Sequence, residues 1–332
     1  MRHLAEGDDR EIGDPRGTCV LFGHAEAERD LLEAYRSGRI PHAWLIGGEV
    51  GIGKATLAYR VARFILSHPD PAMPAVRNAV SLEVSSDHPV TRRIAGQAHP
   101  DLLVLERVIN EKTGKHFTVV RVEDVRRSIA IVDSVDELNK ESENALLKVL
   151  EEPPPRALLL LVSHAPGRVI PTIRSRCRKL LLRPLASDDV ALAVAAALGE
   201  AGVSPEIRAA ADAADGSVRR ALMFLEGDAL ALRQHVVEAL DQLPQIDSRA
   251  LHALGEALSG TASEPLAVFL ETVNSWLAVR LHNAPQECRR LARVGEVWEG
   301  VNQAAREVEI YNLDRKPFVF SVFNLLADAA RA

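Results

Sequence analysis

The sequence predicts an α/β protein: a doubly wound parallel sheet in the front half, then an all-helical region. Three observations predict it. Short, almost wholly apolar strands alternate with segments of helical period between Ala43 and Val162, the pattern of a sheet covered by helices on both faces. A glycine-rich loop joins the first of these strands to an amphipathic helix. Beyond Pro184 the chain turns to Ala- and Leu-rich helix with no further strand pattern.

Residues 1 to 17 read as a polar leader, and Cys19 to Ser37 as a helix with Leu31, Leu32, Ala34 and Tyr35 on one side. Ala43 to Ile46 is a short apolar strand that breaks into glycines. Ala55 to Leu66 is helical, with Leu57, Ala58, Val61, Ala62, Ile65 and Leu66 spaced to face a sheet. From Ser67 to Gln97 the composition shifts to Pro, Ser, Asp and His, which predicts a long, weakly structured connection. Strands are predicted at Leu102 to Leu105, Phe117 to Val120, Ile129 to Val132 and Ala157 to Val162. Between the last two, Glu141 to Glu152 is a helix closed by Pro153, Pro154 and Pro155. The break at Arg183 to Ser187 is the expected hinge, and a weaker boundary falls near Leu230 to Leu243.

One spacing conflicts with this scheme. About six residues separate the strand reaching Val122 from Ile129, whereas a crossover between parallel strands needs at least roughly ten to twelve. Either a helix has been lost or a segment is missing from the sequence, and the second reading is favoured. An intact mass matching 36.2 kDa would refute it.

Composition excludes several function classes. The 332 residues, 47% hydrophobic and 26% charged, suit a folded protein of about two domains. No stretch approaches the roughly 18 to 20 apolar residues of a membrane span. Met1 to Pro15 lacks the apolar core of a secretory signal, so a cytoplasmic location is expected. Cys19, Cys177 and Cys288 are each isolated, which provides neither a disulfide framework nor a metal knuckle. Residues 191 to 332 carry 13 Lys plus Arg against 19 Asp plus Glu, and residues 1 to 190 carry 27 against 27. The acidic excess is therefore C-terminal, and no basic footprint for independent nucleic-acid binding is present.

Four motifs carry chemistry. Gly48-Glu-Val-Gly51-Ile-Gly53-Lys54-Ala55-Thr56 lies between a strand and a helix, as a phosphate-binding loop requires: glycines let amides approach phosphate, the helix N-terminus adds a favourable dipole, and lysine reaches the outer phosphates. The residue after Lys54 should carry a hydroxyl for magnesium, but it is Ala55. Thr56 comes one residue later and points about 100 degrees away. Second, strand Ile129 to Val132 ends in Asp133, a carboxylate suited to magnesium, but Ser134 stands where a glutamate would polarise the attacking water. A serine cannot be that base at neutral pH. Third, Pro171-Thr-Ile-Arg174-Ser175-Arg176-Cys177 offers an arginine that can enter a neighbouring subunit's nucleotide site; by spacing alone the favoured reading is a surface arginine in a salt bridge. Fourth, Gly216-Ser217-Val218-Arg219 opens a helix, where taken alone Ser217 is a cap and Arg219 a solvated base. Ser163 and His164 form no nucleophile pair, because neighbours on a strand face opposite ways.

Together these residues resemble the clamp-loader branch of the AAA+ ATPases, and within it the bacterial DNA polymerase III delta-prime type. Asn144-Ala-Leu-Leu-Lys148-Val-Leu-Glu151-Glu152-Pro153-Pro154 and Ser175-Arg176-Cys177 are the most diagnostic stretches, supported by Leu21-Phe22-Gly23-His24 and Pro41-His42-Ala43-Trp44-Leu45-Ile46. The resemblance implies an AAA+ α/β domain over residues 1–185, a small helical lid over 186–235 and a helical collar over 236–332. It implies a degenerate nucleotide site of Gly48, Gly51, Gly53, Lys54, Thr56, Asp133 and Arg219, the last at the sensor-2 position, with Ser163 near sensor 1. ATP or ADP can then be held without being hydrolysed. Arg176 is the implied finger, offered in trans to an adjacent ATPase subunit. The implied partners are gamma or tau ATPase subunits and delta, with the sliding clamp and primer-template DNA reached through the complex. Active loaders of the family carry a four-cysteine zinc module, and residues 67 to 100 contain no cysteine, so no zinc is expected.

Overall fold

In the computed structural model the described residues are 13–105, 108–109, 116–117, 129–260, 262–283, 288–311 and 313–331. They divide into two compact units, residues 1–221 and 222–332.

The first unit is built on a five-stranded sheet in the order β2-β5-β6-β1-β7. These strands are β1 (Ala43–Gly47), β2 (Leu102–Leu105), β5 (Ile129–Val132), β6 (Leu158–Ser163) and β7 (Arg178–Leu181), and all their pairings are parallel. β1, β5 and β6 are buried along their whole length, which explains why they read as continuous apolar runs rather than alternating ones. Successive side chains point to opposite faces, so each strand feeds two cores. Trp44 and Ile46 pack with Leu31 and Leu32 of α1 (Ala25–Arg36) and Leu57, Val61 and Phe64 of α2 (Lys54–Ser67). Ala43 and Leu45 pack on the other face with Leu146 and Leu150 of α5 (Lys140–Glu151) and Ile173 of α6 (Pro171–Arg176).

Several expectations change. The first helix starts at Ala25 rather than near Cys19, because Gly23 adopts φ +71° and turns the chain beneath Leu185 and Asp189. Residues 15, 16 and 19 lie instead along α2, where the buried Arg60 and Arg63 donate to their carbonyl oxygens. The region from Ser67 to Gln97 is not weakly structured. It holds the short helices α3 (Pro74–Arg77) and α4 (Pro89–Ala95), each opened by proline, and it buries Val76, Leu82 and Ile94. β7 was not anticipated: only Leu180 of its four residues is buried, so it lacks a strand-like apolar run.

The strand expected at Phe117 to Val120 also differs. His116–Phe117 (β4) pairs antiparallel with Val108–Ile109 (β3), in a separate two-stranded sheet; residues 118–128 lie outside the described residues. Among the described residues the parallel strand that precedes β5 is β2, and residues 106–128 separate the two. That exceeds the roughly ten to twelve residues a crossover requires. The expected run of strand on to Val122, and with it the short gap before Ile129, lies outside the described residues.

After β7, α7 (Ser187–Leu198) and α8 (Pro205–Ala213) pair with each other within the first unit, and α9 (Val218–Phe224) spans the division between units. The second unit continues with α10 (Ala229–Asp241), α11 (Ser248–Ala257), α12 (Glu264–Asn283), α13 (Cys288–Tyr311) and α14 (Arg315–Arg331). Its core centres on Phe269, whose ring lies 5.8 Å from that of Phe318 and 6.3 Å from that of Phe323. The compact division falls at 221/222, whereas the three-part scheme places boundaries at 185/186 and at 235/236 inside α10. Among the described residues, no helix is long and apolar enough to cross a membrane.

Candidate functional site

The site lies where β1 gives way to α2. Gly48, Gly51 and Gly53 carry the loop through φ values of +150°, +77° and +97°. Gly53 is the N-cap of α2, and Lys54 is that helix's first residue. Four backbone amides at a helix start lack intrahelical acceptors, and a helix of 14 residues adds its dipole. The loop is thus a ready anion cradle.

Lys54 is only 3% exposed, and its Nζ donates to the carbonyl oxygen of Glu49 within the same loop. Burial pushes its pKa down to about 8, against the opposing pull of Asp133, Asp136 and Glu49. The ammonium is held by one carbonyl and the pull of three carboxylates rather than by solvent.

Asp133 follows β5, and its backbone N–H donates to the Leu105 carbonyl at 2.9 Å. Its Oδ1 is buried without a hydrogen-bond partner among the described residues, as is Oγ of the fully buried Ser163 at the end of β6. Ser134 is buried in a left-handed turn at φ +59°, so its short side chain occupies the position next to Asp133. Asp136 takes a role the sequence did not reveal. Its two carboxylate oxygens accept the backbone N–H groups of His164 and Ala165 at 3.0 and 3.1 Å, tying the turn after β5 to the end of β6.

The start of α9 closes over the loop. Val218 N–H donates to the Gly51 carbonyl at 2.9 Å. A side chain at Gly51 would collide with Ser217 Oγ and the Cβ of Arg219, so the glycine is required for this approach as well as for its positive φ. Arg219, 165 residues from Lys54 in sequence, is thereby seated at the loop. Gly48, Gly51, Gly53, Lys54, Asp133 and Arg219 form one site. Thr56 sits half-buried one residue past Ala55, and Ala55 presents a methyl group where magnesium would need a hydroxyl. The donor set suits the phosphates of a nucleotide, once Lys54 leaves the Glu49 carbonyl, but lacks one ordinary magnesium ligand.

Arg176 belongs to a different surface. It is the last residue of α6; its Nη1 donates to the Thr172 carbonyl at 2.9 Å, and its Nη2 pairs with Glu151 Oε1 at 2.8 Å. Both partners of the pair are exposed, at 37% and 52%, so the guanidinium stands at the surface, ordered but accessible. Glu151 is the last residue of α5, which gives the acidic end of the Asn144 to Pro154 stretch a physical role.

A family model described as "DNA polymerase III, delta subunit" matches residues 23–186, which contain the loop, Asp133 and Arg176. The matched stretch, just under half of the chain, is thus similar to DNA polymerase III subunits of the delta kind. A DNA polymerase III subunit delta' of Pseudomonas aeruginosa is 34% identical over 150 residues, covering 41% of each chain. A delta' subunit of Escherichia coli is 29% identical over 217 residues, 63% of this chain and 62% of that one. A gamma subunit of Buchnera aphidicola is 26% identical over 216 residues, 64% and 58% of the two chains. The chain thus spans between 41% and 62% of the length of these relatives. Among solved structures, a DNA polymerase III gamma subunit-related protein of Thermotoga maritima aligns over 91% of this chain and 99% of that one, at 15% identity and a TM-score of 0.41.

In sequence the loop, Asp133 and Arg219 stand out, but the residues that brace them do not. His24, Asp136, Ser217 and Glu151 were visible only as members of longer motifs. His24 alone carried a local signal: it is the N-cap of α1 without capping it, at a position where Ser, Thr, Asp or Asn is preferred.

Proposed function

We propose that this chain is the delta-prime-type subunit of a bacterial clamp loader, which binds and positions its neighbours without turning over ATP itself. Ala55 carries the reading. Phosphoryl transfer at such a loop needs a hydroxyl on the metal directly after the lysine, and a methyl cannot supply it. Ser134 removes a second part, the carboxylate that polarises water. Lys54, Gly51 and Arg219 would still hold the phosphates of ATP or ADP.

Arg176 would act in trans. A surface guanidinium carries five donors in a rigid fork, and an arginine reaching a neighbouring nucleotide stabilises charge on the transferring phosphoryl group. The ATPase neighbours would be gamma or tau subunits, with delta completing the complex that places a sliding clamp on primer-template DNA in the cytoplasm. The relatives named delta' and gamma or tau support these partners. Lid and collar roles for residues 186–235 and 236–332 belong to the same reading.

The test is reconstitution with gamma or tau and delta subunits. Arg176→Ala should lower clamp- and DNA-stimulated ATP hydrolysis by at least tenfold while the complex still assembles. Unchanged hydrolysis would refute the trans role.

A second reading, an active ATPase subunit, draws on Lys54 and Asp133, which are both in place, and on the gamma relative. It requires the isolated protein to hydrolyse ATP steadily, with Lys54→Ala abolishing turnover. That result would overturn the first reading.

A further inference from the structure

His24 combines features that its place at a helix start does not explain. It is 7% exposed, yet its side chain makes no capping bond to α1, although the residue occupies the N-cap. It reaches across 28 residues of sequence instead, and its Nε2 lies 2.7 Å from the carbonyl oxygen of Ile52 in the glycine loop. A methyl group added at Gly53 would touch the imidazole at 3.8 to 3.9 Å, so the ring lies directly beneath the loop's last glycine. The adjacent Gly23 packs on Leu185 and Asp189. Burial, aided by the nearby charge of Lys54 of α2, outweighs the bond to the Ile52 carbonyl and the pull of Asp189 of α7, and holds the ring's pKa below the usual value. The imidazole is therefore neutral at pH 7, with its proton on Nε2 for donation to Ile52.

The consequence follows from peptide geometry. A trans peptide is planar, and its N–H points opposite to its C=O. Fixing the Ile52 carbonyl on His24 fixes the Gly53 N–H on the other side, away from the ring. That amide immediately precedes the unpaired amides at the start of α2.

We propose that His24 is a positioning residue of the phosphate loop: by holding the Ile52 carbonyl it aims the Gly53 amide at the phosphates of a bound nucleotide. The proposal deepens the reading of the loop as a nucleotide cradle and rests on it, but its first test does not depend on a nucleotide.

That test is hydrogen exchange of the full chain, followed by mass spectrometry on peptides covering residues 51–57. His24→Leu keeps the bulk and removes the donor, whereas His24→Gln restores an N–H at nearly the same reach. Exchange in these peptides should quicken in His24→Leu and return close to wild type in His24→Gln, with peptides of the second unit unchanged. Equal exchange in His24→Leu and wild type overturns the proposal, as does equal acceleration in both variants. Titration with a fluorescent ADP analogue is the second arm. His24→Leu should bind about tenfold more weakly, the equivalent of one lost hydrogen bond, and His24→Gln within about threefold of wild type. If wild type binds no analogue, the cradle reading fails, while the exchange data still decide whether His24 sets the loop.

Discussion

Replacing Lys54 with methionine should stabilise this protein. The lysine is 3% exposed, and its pKa falls from 10.5 to about 8 on folding. Each unit corresponds to about 1.36 kcal/mol, so keeping the ammonium charged in the folded state costs ~3 kcal/mol at pH 7. The bond to the Glu49 carbonyl offsets part of this; its loss costs about 1 kcal/mol, because Glu49 is exposed and water can replace the donor. Methionine has similar length and no charge, leaving a net gain of about 2 kcal/mol. For a unit of about two hundred residues, that raises the melting temperature by ~4 to 8 °C.

Calorimetry is the assay, since two compact units can melt separately, and only the transition of residues 1–221 should move. The pH dependence supplies a second check. Between about 8 and 10.5 the unfolded lysine binds more protons than the folded one, so wild-type stability attributable to this group rises with pH across that window. The advantage of Lys54→Met should be full below pH 8 and gone above about 10.5. A variant less stable than wild type at pH 7, or an advantage that stays constant to pH 10.5, would refute the reasoning. A stabilised variant that no longer binds nucleotide would show that the charge is retained for the site and not for the fold.

Other substitutions probe the bracing of the site and the division of the chain. Gly51→Ala must accept φ +77° and a collision with Ser217 and Arg219, so it should lose about 2 to 4 kcal/mol in urea unfolding, whereas Gly167→Ala, with open space around it, should lose far less. Asp136→Ala leaves the amides of His164 and Ala165 without their acceptors and should cost roughly 2 to 4 kcal/mol; an Asp136→Ala protein as stable as wild type would show that water replaces the carboxylate. Phe269→Ala empties the aromatic centre of the second unit and should lower only that unit's transition, by about 3 to 5 kcal/mol. A matching drop in the first unit's transition would mean that the two melt as one.

Much of this protein is determined by its sequence alone. β1, β5 and β6 are legible because strands buried on both faces must be apolar throughout, and α5 because three prolines close its helical run. The loop from Gly48 to Lys54 is legible because phosphate chemistry requires glycine and lysine at fixed spacing, and the missing hydroxyl after the lysine is written in one letter, Ala55. β7 was hidden because an edge strand with one buried residue carries no apolar signature. The strand near Phe117 hid its partner because a short apolar run does not state one: the pairing of His116–Phe117 with Val108–Ile109 is decided by contacts, not composition. Tertiary structure also decided what braces the site. His24 beneath Gly53, Asp136 across to His164 and Ala165, Ser217 and Arg219 against Gly51, and Glu151 on Arg176 all join residues at least 25 positions apart in sequence. Local patterns of period two or 3.6 describe which face of an element is buried, but they do not say which polar side chain crosses to which loop, because that depends on how separate elements pack.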